Sequence, residues 1–148
     1  MEERRIVPKK KQEQIPTDEG NVTKIDKKAF FSLILGAKLT GHILHLQCDE
    51  FAEHIALDEF YKGQQKNADK IIEVYQGCTK EIVQYDTVTL IFGIDYHGRC
   101  LDYLSELKSA ICNNRYDIVP RELTNVHNEI DNFISTLDQT IYKITFLK

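Results

Sequence analysis

The most informative run of the chain is residues 42–77, HILHLQCDEFAEHIALDEFYKGQQKNADKIIEVYQG. Asp49 can cap a helix that begins just after it and runs to about Gln76, where Gly77 is the expected stop. Along that helix Leu57, Tyr61, Gln64, Ala68, Ile71, Ile72 and Tyr75 share one mostly apolar stripe. Upstream, Phe30, Ile34, Ala37, Gly41 and Leu44 recur at steps of three and four, which predicts a first helix from a cap at Asp26 to near Leu46. Downstream, Leu101, Leu104, Leu107 and Ile111 mark a third helix from about Asp95 to Asn113. After the Asn113-Asn114 break, Val126, Ile130, Phe133, Leu137 and Ile141 mark a fourth from about Pro120 to Lys143, with Pro120 suited to a first turn.

Between helices two and three, residues 79–96 read either as a short connecting helix or, through Val88-Thr89-Leu90-Ile91-Phe92, as a buried strand. No partner strand is visible in the pattern, which favours the helix. Four amphipathic helices, short hairpin connections at both ends and one longer passage in the middle describe an all-α, ferritin-like four-helix bundle with a crossover segment between helices two and three. The bundle takes residues 25–148. Residues 1–24, with Pro8, Pro16 and almost no apolar periodicity, read as a flexible arm.

At 148 residues the chain suits one domain, and 42% apolar residues are enough to fill one core. No run approaches the ~18 uninterrupted apolar residues of a membrane span. Charged residues at positions 2–5, with no apolar run behind them, argue against a secretory signal, so a cytoplasmic protein is expected. Cys48, Cys78, Cys100 and Cys112 lack metal-type pair spacing and read as reduced thiols. Arg4, Arg5, Lys9, Lys10 and Lys11 against Glu2 and Glu3 give the first 12 residues a charge of +3, so the remaining 136 carry −7 of the total −4. An acidic body attracts cations, and the basic arm is either a solvated tail or a polyanion contact. A phosphate-cradling glycine loop is missing, and Cys48 near His45 has neither an orienting carboxylate nor an oxyanion hole, which sets nucleophilic catalysis aside.

The chemistry concentrates on the first two helices. His54, Asp58, Asp69 and Glu73 project within roughly 100° of arc, flanking the apolar stripe. Asp58 and Asp69 are nevertheless separated by roughly 16 Å along the axis, too far to hold one ion. Two symmetry relations close that gap. A hairpin turning at Cys48 sets His42 beside His54, each six residues from the turn. A second copy of helix two, packed antiparallel about a two-fold axis between Gly63 and Gln64, sets His54 against the copy's Glu73 and Asp58 against its Asp69. An isologous dimer then builds two equal sites, each with His42, His54 and Asp58 from one chain and Asp69 and Glu73 from the other. Mixed imidazole and carboxylate donors suit Fe(II), Zn(II) or Mn(II) better than calcium or magnesium. Iron is the expected metal, as a di-iron site with zinc as a substitute, because a carboxylate-bridged iron pair can pass electrons to dioxygen or peroxide. His45, one turn after His42, is either a further ligand or a polar contact near the hairpin. Lys62, on the shared face, either competes with metal or bridges carboxylates. His97 and His127 lack such company and read as structural, and Tyr61 and Tyr75 as core residues.

The spacing His42-x11-His54-x3-Asp58-x10-Asp69-x3-Glu73 resembles the ferroxidase motif of the Dps mini-ferritins, the DNA-binding proteins from starved cells. All five ligand positions are matched, over roughly residues 26–77. The resemblance implies iron bound by these five residues at a two-fold interface. It further implies a dodecameric shell that oxidises Fe(II), preferably with peroxide, and stores ferric mineral. In some members a lysine-rich N-terminal arm binds DNA, a part Lys9 to Lys11 could play, with Arg4 and Arg5 beside them. The family commonly has a tryptophan directly after the first histidine, where Ile43 stands here, and Gln47 and Glu50 replace its usual Gly and Phe. The segments Ala52–Leu57 and Val74–Gly77 also resemble ferritin-like proteins of unassigned role encoded by bacteriophages. That likeness implies a non-catalytic assembly protein, such as a virion component, as the alternative.

Overall fold

The computed structural model describes residues 23–85, 96 and 98–147. The candidate DNA contacts Arg4, Arg5, Lys9, Lys10 and Lys11, the run Val88–Phe92 and His97 lie outside them. Four helices are present: α1 (Lys27–Gln47), α2 (Phe51–Thr79), α3 (Cys100–Ile118) and α4 (Thr124–Phe146), with no strand among the described residues.

Asp26 caps α1 as its position predicts, its Oδ1 accepting the Ala29 N–H at 2.8 Å. Elsewhere the ends differ from expectation, each for a local reason. Gly77 does not stop α2. The helix runs on to Thr79 and turns off at Lys80, which itself takes the left-handed conformation at φ 62° while its N–H bonds to the Gln76 carbonyl. Asp49 does not cap α2 either, since Glu50 is the residue before its first turn and offers no side-chain cap. α3 starts later than predicted because Gly98, at φ 70°, makes a turn closed by the Arg99 N–H on the Tyr96 carbonyl. Its other end passes straight through Asn113-Asn114. The buried Asn114 amide donates to Ala110 O and Thr23 O and accepts the Ile25 N–H, so a residue of poor helix propensity is fully satisfied inside the helix. Pro120 lies in the α3–α4 turn, where its carbonyl accepts the Leu123 N–H at 3.0 Å, and α4 begins at Thr124.

The helices form a cycle in which α1 packs on α2 and α3, and α4 on α2 and α3. The pairs α1/α4 and α2/α3 are diagonal. Every neighbouring pair is antiparallel. Between α2 and α4, Asn67 meets Thr136 and Lys70 meets Glu129, while Cys78, near the α2 end, meets Asn125 at the α4 start. Between α1 and α3, Ile25 meets Asn114 at one end and Thr40 bonds the Tyr103 hydroxyl towards the other. Consequently α2 ends and α3 begins at opposite ends of the bundle.

The predicted stripe of α1, Phe30 through Leu44, is buried throughout. It meets Leu57, Phe60, Ile71 and Tyr75 of α2, with Leu104, Ile111, Ile130 and Phe133 closing the core. α1 has the length and hydropathy of a membrane span, yet 56% of that window is buried inside the bundle. Its apolar character serves the core. Gln64 is wholly buried in the stripe, and neither end of its amide has a partner among the described residues.

The four cysteines are free thiols. Burial, with Glu53 alongside, pushes the Cys100 thiol up to about 12. Iodoacetamide at about pH 8 should therefore label exposed Cys78 first and leave Cys100 intact until the protein unfolds, since the thiolate is the reacting form. Mass spectrometry of the native protein showing early label on Cys100 would contradict this.

Candidate metal centre

The site is built on the α1–α2 hairpin. Because α1 runs through Gln47 and α2 starts at Phe51, the turn comprises residues 48–50, and facing positions shift from those set by a turn at Cys48. The imidazole beside His54 is that of His45, with ring centroids 3.8 Å apart, and not that of His42. His42 lies flat on the Tyr61 ring at 4.3 Å and 17°, and its own centroid is 6.1 Å from that of His45. Tyr61, expected in the core, is half-buried and backs this imidazole.

The two adjacent histidines bracket each other. His45 Nδ1 lies 2.9 Å from the His54 carbonyl oxygen, and His54 Nδ1 lies 3.1 Å from the His45 carbonyl oxygen. A carbonyl oxygen only accepts, so both Nδ1 atoms carry the proton and donate. In the tautomer with the proton on Nδ1, the lone pair falls on Nε2. This anchoring of one ring nitrogen to fix the other as a donor to an electrophile is the arrangement metal-binding histidines use.

Asp58 lies one turn along α2 from His54. Its Oδ1 is 3.8 Å from His45 Nε2, and its Oδ2 accepts from Lys62 Nζ at 2.6 Å. The Lys62 ammonium is the main cause holding the Asp58 carboxyl below the usual carboxylate range, and the same contact raises Lys62. Lys62 also stands 5.9 Å from the centroid of the Tyr61 ring.

Asp69 and Glu73 are exposed further along α2. They line a shallow groove of about 510 Å³ together with Lys62, Gln65, Lys66 and Lys70. Lys70 is drawn towards α4 by Glu129 at 3.1 Å, and Lys38 of α1 reaches across to Gln65. Within one chain, the described residues hold no group of three or more His, Cys, Asp or Glu side chains that could hold a metal ion. His45 lies against His54 and its Nε2 is 3.8 Å from Asp58 Oδ1, with His42 one turn before, while Asp69 and Glu73 stand apart from them.

A family model matches residues 45–144, from the last turn of α1 almost to the end of α4. The chain belongs to the DUF5856 family. That family is one of unknown function. The span of the DUF5856 match includes His45, His54, Asp58, Asp69 and Glu73 and begins beyond His42. No curated protein and no solved structure matches the chain.

His127, read as structural, is buried and serves the α3–α4 hairpin. Its partner Arg115 carries no motif in the sequence, and only its place on the buried side of α3 marks it.

Proposed function

We propose that this DUF5856 protein is a ferritin-like, Dps-like protein that takes up Fe(II) as substrate at a site shared by two copies of α2, oxidises it and sequesters the ferric product. The observation that carries the reading is the mutual bracket of His45 and His54 through Nδ1, which leaves both Nε2 atoms clear of those backbone bonds, that of His45 lying 3.8 Å from Asp58 Oδ1. Those donors suit a borderline cation such as Fe(II) or Zn(II). The helix cycle and the opposite placement of the α2 end and α3 start support ferritin-like connectivity, in which one long connection joins helices two and three.

In this reading His45, His54 and Asp58 hold iron from one side, and Asp69 and Glu73 of the second copy complete the site. His42, over Tyr61, is a reserve donor one turn away rather than the first ligand. Iron supplies the redox chemistry: two Fe(II) give up two electrons to one peroxide, which with two protons leaves as water. The carboxylates favour the ferric charge, and the acidic body draws the cation in. A closed homo-oligomer built from this two-fold dimer, a dodecamer in the Dps manner, would hold the product.

The test is direct. Protein given Fe(II) anaerobically and then peroxide should develop ferric absorbance well above buffer, and the His54→Ala, Asp58→Ala double variant should do so more than about tenfold more slowly. Equal rates for protein, variant and buffer would overturn the proposal.

One observation favours the second reading, a non-catalytic assembly protein such as a virion component. The Lys62 ammonium, 2.6 Å from Asp58 Oδ2, neutralises that carboxylate from within the chain. Freshly purified protein free of iron and zinc, in an assembly other than a closed dimer-based shell, would support that reading.

A further inference from the structure

We propose that Lys62 is the resident cation of the two-fold site: without metal its ammonium bridges Asp58 of its own chain and Asp69 of a second copy, and a divalent ion binds by displacing it. This rests on the shared-site reading above. Lys62 lies one turn from Asp58, on the side towards the proposed axis, and its Nζ is already 2.6 Å from Oδ2. Packing that sets Asp58 against the copy's Asp69 sets Lys62 against the copy's Gln65, one turn from that same Asp69. Two carboxylates brought face to face repel unless a cation lies between them. Among the lysines of this face, Lys70 is committed to Glu129, and Lys66 falls opposite the copy's Tyr61.

Lys62 is also easy to dislodge. Its side chain is 62% exposed against 29% for Asp58, and the ammonium sits on a flexible four-carbon stem. An exposed pair of this kind contributes little by itself. A divalent ion brings twice the charge and gains the imidazole Nε2 donors that an ammonium, a donor only, cannot use. The lysine therefore sets a threshold. Below it the interface is closed by an internal ion pair, and above it by metal.

The experiment compares wild type, Lys62→Met, Lys62→Arg and Lys66→Met. Zn(II) binding is followed by calorimetry and metal-free self-association by sedimentation. Lys62→Met should bind Zn(II) roughly tenfold more tightly, the size expected for removing one unit charge a few ångströms from the ion. The same variant should associate less tightly than wild type when metal-free, while Lys62→Arg keeps association near wild type. Lys66→Met, which removes a charge from the same groove but from a position opposite the copy's Tyr61, should shift Zn(II) affinity clearly less than Lys62→Met and leave metal-free association unchanged. Unchanged Zn(II) affinity in Lys62→Met, with wild type binding well, overturns the exchange and leaves the iron reading standing. Equal shifts from Lys62→Met and Lys66→Met also overturn it, since any lost positive charge would then serve. Zn(II) binding absent from wild type and Lys62→Met alike overturns both readings.

Discussion

Replacing Arg115 by methionine should lower the thermal midpoint by roughly 10 °C, from a loss of about 3 kcal/mol in a domain of this size. The guanidinium is only 7% exposed and makes three separate bonds. Nε donates to His127 Nδ1 at 3.2 Å, Nη2 to the His127 carbonyl at 2.9 Å, and Nη1 to Asp131 at 2.6 Å. His127 in turn bonds the Pro120 carbonyl through Nε2, so that nitrogen carries the proton and Nδ1 must accept. Arg115 is the donor it accepts from. Methionine preserves much of the side-chain volume and isolates the lost polar contacts, because a buried acceptor left unpaired costs its full desolvation. The α3–α4 hairpin should loosen first, since this network ties the last turn of α3 to the first turns of α4. Asp131→Asn is the contrast. That carboxylate is 62% exposed, so its loss should cost less than about 1 kcal/mol. Urea or thermal unfolding giving the two variants the same midpoint would show that the buried network does not hold the hairpin.

That network also shows where sequence reading reaches its limit. The start of α1 was legible because Asp26 is followed at once by an apolar period, and a cap bond spans only three residues. The core stripes were legible for the same reason: periodicity is local, and burial follows it. Asn113-Asn114 was misleading because what keeps Asn114 in the helix arrives from Thr23 and Ile25, roughly ninety positions away. Gly77 misled differently. A glycine permits a left-handed stop without requiring one, and here Lys80 accepts the strained backbone while Gln76 bonds forward to the Val83 N–H. In the candidate centre, residue types and the α2 face could be read from spacing, since His54, Asp58, Asp69 and Glu73 sit on a regular helix. The partner of His54 could not. It depends on the hairpin register, and widening the turn from Cys48 to residues 48–50 carries the position facing His54 away from His42 towards His45.

The register has a physical anchor, and breaking it should disturb fold and site together. A Cβ added at Gly41 would lie 2.7 Å from Phe60 Cδ1, 2.8 Å from Cε1 and 3.2 Å from Tyr61 Cβ. Phe60 is 1% exposed, so its ring has no solvent to retreat into, and α1 and α2 must move apart instead. Gly41→Val should therefore cost about 3 kcal/mol, the upper end for overpacking a close-packed core, despite valine's better helix propensity than glycine's. The neighbouring contacts are sensitive to that separation. His42 stacks on Tyr61 through the same helix approach, and His45 and His54 bracket each other one turn further on, through two bonds of about 3 Å. A rigid shift of even half an ångström lengthens both of those bonds and releases the rings to rotate, so Zn(II) affinity should fall along with stability. Shrinking the obstacle should restore both: Gly41→Val combined with Phe60→Leu should recover part of the loss, a coupling visible as non-additivity in a double-mutant cycle. Strictly additive losses, or Zn(II) affinity untouched while stability falls, would mean that the close approach at Gly41 does not set the geometry of the histidine pair.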